Sequence, residues 1–239
     1  AEIPPGLDPF EMKRAYRAWR ESTSTSPSGR HLGHYHALLK PDGLTKDSEE
    51  AGNLAADRDE IWKIHHTMFE YGISHAHCYT RWKNIVNAMI EKEPGNPWIH
   101  RLRVIHLYEN DYNLLIGSQY RKAFHQAEDA EAINDGNFGG RTARSSLDPI
   151  GIELLQYEYS RLLRLQHLKF SNDATACYDR IVVNLASIVS RSFGLHKNIT
   201  TVHGDMLQHA VYRIKTKMGI SDGFYQHSND CPVFGTGQG

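Results

Sequence analysis

The chain has 239 residues, 40% hydrophobic and 23% charged, with a formal net charge of −1, so it is long enough for one large domain or one and a half small ones. Four Trp, twelve Tyr and eight Phe supply core enough to argue against a disordered chain, and no apolar run is long enough to cross a membrane, so no membrane partner is expected. Three Cys without paired spacing, and a start (AEIPPGLDPF) without the basic and apolar regions of a signal peptide, point to an intracellular protein of the nucleus or cytoplasm rather than a disulfide scaffold.

In chain order, Met12, Tyr16 and Trp19 space as one face of a helix, and Ser22–Arg30 is a loop by composition. HLGHYHALLK starts a second helix, and residues 41–53 form a linker. Ile61, Ile64, Met68 and Tyr71 predict an amphipathic helix with that face inward. Ile85–Lys92 and Arg101–Leu107 flank the turn segment EPGNPW and read as a hairpin with a cation on each arm. Residues 109–125 are helical, and 132–145 form a Gly-rich loop. Ile152, Leu155, Tyr159 and Leu162 mark a long helix ending near Gln166, followed by a short strand over His167–Asp173. Ile181, Leu185 and Ile188 mark a helix closed by Gly194. Leu207, Val211, Ile214 and Met218 mark another, closed by Gly219, and Phe224, Tyr225, Val233 and Phe234 suggest a last hairpin around His227–Asp230.

Charge is uneven: residues 141–218 carry 11 Lys/Arg against 6 Asp/Glu, whereas residues 1–140 carry 16 against 20. The basic part either faces a polyanion or is an ordinary charged surface. Asp173 ends the expected strand, with Tyr178 five residues on at the start of a helix. A carboxylate there either ligates Mg²⁺, a hard cation that takes oxygen donors, or caps the next helix. Lys92 and Arg103, on adjacent strands, either clamp a triphosphate or lie solvated. The closing run Gly235-Thr-Gly237-Gln238-Gly239 allows close backbone approach to phosphate or sugar. His31, His34 and His36, or His75, His77 and Cys78, are dense enough to raise zinc, but i, i+3, i+5 spacing does not put three ligands on one helix face. No Gly-x-Ser-x-Gly elbow supports a hydrolase, and Cys177 is expected to pack inside.

Together and in this order, the motifs resemble a reverse transcriptase of the type found in non-LTR retrotransposons and group II introns. TSPSGRHLGHYHALL looks like that family's opening segment, with Ser28-Gly29-Arg30 replacing part of the usual Pro-Gly-x-Asp-Gly. RWKNIVNAMIEKEPGNPWIHRLRVIHL resembles its fingers hairpin, keeping Lys92, Gly95, Arg103 and Ile105, with Val104 where Pro is usual. GNFGGRTARSSLDPI keeps Phe138, Arg144 and Asp148 of the next segment; Asp173 to Asp179 looks like motif A, and PVFGTGQG like the start of motif B.

The resemblance implies an α+β right-hand polymerase: a helical extension and linker over 1–53, mostly helical fingers with a β-hairpin over 54–166, and an incomplete palm with motifs A and B over 167–239. It implies a nucleotidyltransferase that adds dNTPs to a DNA primer on an RNA template with two Mg²⁺ ions. Asp173 would be the catalytic, metal-binding carboxylate, with Ala174 and Thr175 near the triphosphate and Lys92 and Arg103 gripping it. Tyr178 would be the steric gate against a 2′-hydroxyl. Gln238 and Gly239 would contact the nucleotide, and Arg141 and Arg144 the template–primer backbone. The family also needs a motif C, Tyr/Phe-x-Asp-Asp, and the 239 residues hold no Asp-Asp pair. The chain is therefore expected to be a fragment without motif C or thumb, inactive alone, with an open sheet edge. The alternative is a non-catalytic RNA-binding scaffold derived from such an enzyme.

Overall fold

The computed structural model describes residues 2–20, 22, 27–40, 49–173, 177–228, 230, 233, 235 and 236. The fold is mixed, mostly helical with one small sheet. Helix α1 (Pro9–Ala18) begins where Asp8 Oδ1 accepts from the amides of Phe10 (2.8 Å) and Glu11 (3.1 Å), with Pro at the first position. It buries Met12 and Tyr16. In α2 (Leu32–Leu39) His31 Nδ1 accepts from the Gly33 amide, and Tyr35 stacks flat on Tyr16 with ring centroids 4.1 Å apart. Residues 49–53 of the expected linker are the first turn of α3 (Glu49–Ser74), and residues 41–48 lie outside the described ones.

The period read for α3 holds, but the buried face is another one. Ile61, Ile64 and Tyr71 are 46%, 63% and 51% exposed and only Met68 of the expected face packs against the core, partly buried, while Trp62, Phe69 and Ile73 point inward. The tyrosine pair of α1 and α2 supplies an aromatic surface that Trp62, His65 and Phe69 complete, so the bulkier stripe wins the core.

Strands β1 (Asn84–Glu91) and β2 (Leu102–Leu107) form the expected hairpin, in register from Val86↔Leu107 to Glu91↔Leu102. Helix α4 (Asn110–Asp129) follows and inserts Tyr112, Leu114, Leu115 and Ala123 into the core. Helix α5 (Leu147–Leu162) buries no residue. After it the chain is irregular: the strand expected over His167–Asp173 does not form, and Phe170 is 90% exposed. A strand needs an edge to pair with, and the free edge of β1 is taken elsewhere.

It is taken by residues read as helical. After α6 (Val183–Ser192), closed as expected by Gly194 at φ 95°, α7 (Lys197–Gln208) stops before Val211. Strand β3 (Val211–Thr216) then pairs parallel with β1, Asn84 against Val211 through Ala88 against Lys215. The β-branched and aromatic residues Val211, Tyr212 and Ile214 suit a strand, and Met218, counted on the supposed helix face, is 95% exposed. The short β4 (Gly219–Ile220) and β5 (Tyr225–Gln226) both pair antiparallel with β3, giving the order β2-β1-β3-β4. Tyr225 thus meets Tyr212, and Phe234 of the expected tail hairpin lies outside the described residues. The core lies between the sheet face carrying Ile85 and Tyr212 and helices α1, α3, α4 and α7.

Candidate functional site

The hairpin is anchored at its root by a buried polar node. Arg81, in the 3-10 turn Thr80–Lys83 that leads into β1, contacts Glu109 (3.3 Å) and, more closely, Asp111. Both carboxylate side chains are fully buried. Trp82 Nε1 (3.1 Å) and the Tyr112 amide (2.9 Å) donate to Asp111 Oδ1. Ser28 donates its amide (2.7 Å) and hydroxyl (3.0 Å) to Glu109, and Asn110 Nδ2 donates to the Arg30 carbonyl (3.2 Å). Burial alone would lower the Arg81 pKa; Asp111 and Glu109 outweigh it and hold the guanidinium charged. The Pro27–Arg30 segment is thereby fastened to the start of α4, beside a cavity of about 400 Å³ lined by Ser28, Arg81, Asn84, Glu109 and Arg213. Sequence reasoning singled out Ser28 and Arg30 but missed Arg81, Glu109 and Asp111. The signal was the charged run Glu109-Asn110-Asp111 at the start of an apolar helix.

At the far end the Lys92 amide donates to the Arg101 carbonyl (3.0 Å), which carries the ladder one step past Glu91. Arg103 faces Ile90, so Lys92 and Arg103 are diagonal neighbours on one face, with backbones about 7–8 Å apart. Among the described residues neither makes an ion pair. The nearby acids hold the turn: Glu91 accepts from the Gly95 amide (2.8 Å), and Glu93 from Asn96 (3.2 Å). Gly95 sits at φ 83°, a conformation that favours glycine.

Asp173 is exposed in irregular chain, not at a strand end, and Ala174, Thr175, Gln238 and Gly239 lie outside the described residues. Tyr178 is half exposed in the 3-10 turn Tyr178–Arg180, and Cys177 is exposed, not packed inside as expected. A two-ion Mg²⁺ site needs more oxygen donors than one carboxylate. Among the described residues no three His, Cys, Asp or Glu side chains gather as a metal site, the His31 and His75 clusters included. Asp173 by itself does not make the centre.

The structure does bring other motif segments together. The Thr236 amide donates to the Tyr178 carbonyl (3.0 Å), the Gly235 amide to the Ile181 carbonyl (2.9 Å), and the Tyr108 hydroxyl to the Thr236 carbonyl (3.4 Å). Tyr108 just past the hairpin, the Tyr178–Ile181 segment and the Gly235–Thr236 segment thus meet. Arg103 stands five residues up β2 from Tyr108, roughly 17 Å along a strand, so the cations and Tyr178 are not brought together. Arg141 is held internally: it bonds Glu128 (3.1 Å), its side chain is 10% exposed, and the pairing lowers the Glu128 pKa. Arg144 is exposed and rests over the Phe138 ring.

No known family profile matches the chain, and no curated protein matches it.

Proposed function

We propose that the chain carries the nucleotide-gripping and first acidic segments of an RNA-directed DNA polymerase of retroelement type. One observation supports this reading most: the backbone bonds of Thr236 to Tyr178 and of Gly235 to Ile181, with the Tyr108 hydroxyl on the Thr236 carbonyl, join three segments distant in sequence that such a polymerase needs around one nucleotide. Tyr178 then lies where a ring would oppose a 2′-hydroxyl. Lys92 and Arg103 bind the triphosphate as paired cations on one hairpin face. The hairpin must fold toward Tyr178 for a single nucleotide to touch both. Asp173 contributes one metal-binding carboxylate, and Arg144 meets the backbone of an RNA template paired with a DNA primer. The ions, when bound, would activate the primer hydroxyl and neutralise the pyrophosphate.

A second reading, a non-catalytic RNA-binding scaffold, draws on the irregular, exposed chain around Asp173. One titration separates the two. The full chain, with an RNA–DNA hybrid and Mg²⁺, is titrated with a fluorescent dGTP analogue. A polymerase-type site binds the nucleotide saturably and Mg²⁺-dependently, about tenfold or more weaker in Lys92→Ala/Arg103→Ala, given two charge-assisted contacts removed. Hybrid binding without nucleotide binding supports the scaffold. No hybrid binding at about 50 mM salt, where phosphate contacts are strong, removes both.

A further inference from the structure

The hairpin tip carries an aromatic ring that the fold does not use. Trp62 and Trp82 are buried and Trp19 packs edge-on against Tyr16, but Trp98 is 69% exposed, and no aromatic ring packs against it among the described residues. Ile99 beside it is 84% exposed. Leaving a Trp and an Ile in water forfeits the stabilisation their burial would give. Their placement is nevertheless fixed. The Arg101 amide donates to the Trp98 carbonyl (2.7 Å), closing the 3-10 turn Ile99–Arg101, and the Asn96 amide donates to the Glu93 carbonyl (3.1 Å). The tip therefore presents the indole from a hydrogen-bonded turn. The exposed His100 and Arg101 follow it directly, Arg101 in a loose, solvent-exposed pair with Glu93 (3.7 Å), and Lys92 and Arg103, without an ion pair among the described residues, lie on the adjoining ladder.

A flat exposed ring among cations is the arrangement that holds single-stranded nucleic acid, the base on the ring and the phosphates on the charges. We infer that the β1–β2 tip is a stacking platform for an unpaired RNA base, with Trp98 under the base and Arg101 on the adjoining phosphate. The choice of RNA as partner rests on the polymerase reading; the platform itself rests on Trp98. A membrane surface is the weaker occupant, because two apolar side chains bury little area.

The test is tryptophan fluorescence of the full chain titrated with an oligo(U) RNA, a blunt RNA–DNA hybrid, and vesicles of phosphatidylcholine with phosphatidylserine. Stacking predicts quenching by oligo(U) that Trp98→Ala lacks; with affinity read by the anisotropy of a dye-labelled oligo(U), Trp98→Ala binds roughly 5- to 150-fold more weakly, while Trp98→Phe keeps most of the affinity. The side chain is exposed, so neither variant should alter folding, which circular dichroism checks. A Trp98→Ala affinity within twofold of the parent overturns the inference, as does a vesicle-induced blue shift with no oligo(U) quenching. If Lys92→Ala/Arg103→Ala weakens nucleotide binding while Trp98→Ala changes nothing, the platform fails and the polymerase reading stands. If oligo(U) quenches through Trp98 but no nucleotide binds, the platform stands and that reading fails.

Discussion

Replacing Arg81 by Met should be among the most damaging single changes on the surface-reaching part of this fold. The side chain is 22% exposed, and the methylene stem is kept, so packing changes little. What changes is charge. Glu109 and Asp111, both fully buried, lose their cation together. Breaking a buried pair by removing one partner costs about 3–5 kcal/mol, because a charge is left without compensation. For a chain of this length that corresponds to roughly 6–20 °C in Tm. The assay is urea unfolding followed by circular dichroism, with m checked for constancy. A second variant isolates the cause: adding Glu109→Gln and Asp111→Asn to Arg81→Met removes the stranded charges and should recover part of the loss. A loss below about 1 kcal/mol, the value of an exposed ion pair, would refute the reasoning. So would a triple variant less stable than Arg81→Met alone.

The histidines give a pH prediction. Burial pushes His203 and His65 each down to about 4, and the Tyr112 hydroxyl lies 2.7 Å from His203 Nδ1. The folded state keeps both rings neutral while the unfolded chain protonates near pH 6.5. Stability is therefore full above about pH 6.5 and falls as pH drops toward 4, by about 1.4 kcal/mol per unit for each ring. Unfolding at pH 7.5 and 5 should show this slope, and His203→Gln should shrink it. On α3, Phe69→Ala should cost about 3–5 kcal/mol, whereas Ile61→Ser should stay within about 0.5 kcal/mol; equal losses by urea unfolding would reverse the assignment of the faces. In a Cys231→Ser background, a thiol reagent should label exposed Cys177 quickly and Cys78 slowly, since Cys78 is buried with its thiol pushed up to about 12.

What the sequence disclosed was local. The β1–β2 hairpin was legible because EPGNPW fixes its own turn and two adjacent runs pair across it. Helices α1 and α3 announced themselves by period, although the inward face of α3 depended on Tyr16 and Tyr35 arriving from elsewhere. The third strand was not legible. Leu207, Val211, Ile214 and Met218 fit a helical period by coincidence, while 167–173 looked extended and found no partner. Which segment completes β1 is decided by a distant pairing that no local window contains. The candidate site divides the same way. Lys92 and Arg103 followed from the hairpin, whereas the Arg81 node and the docking of Thr236 on Tyr178 join residues far apart along the chain.

The parallel pairing of β1 with β3 has a consequence for synthesis. β1 leaves the ribosome about 130 residues before its partner, which at roughly 5–20 residues per second is a wait of about 6–25 s. β2 covers one edge within that time, but the other edge, with Asn87 and Ile85 on it, meets the cell bare. Nascent chains stalled before Val211 should therefore recruit chaperones or self-associate through β1, and chains stalled far enough past Thr216 for β3 to emerge should not.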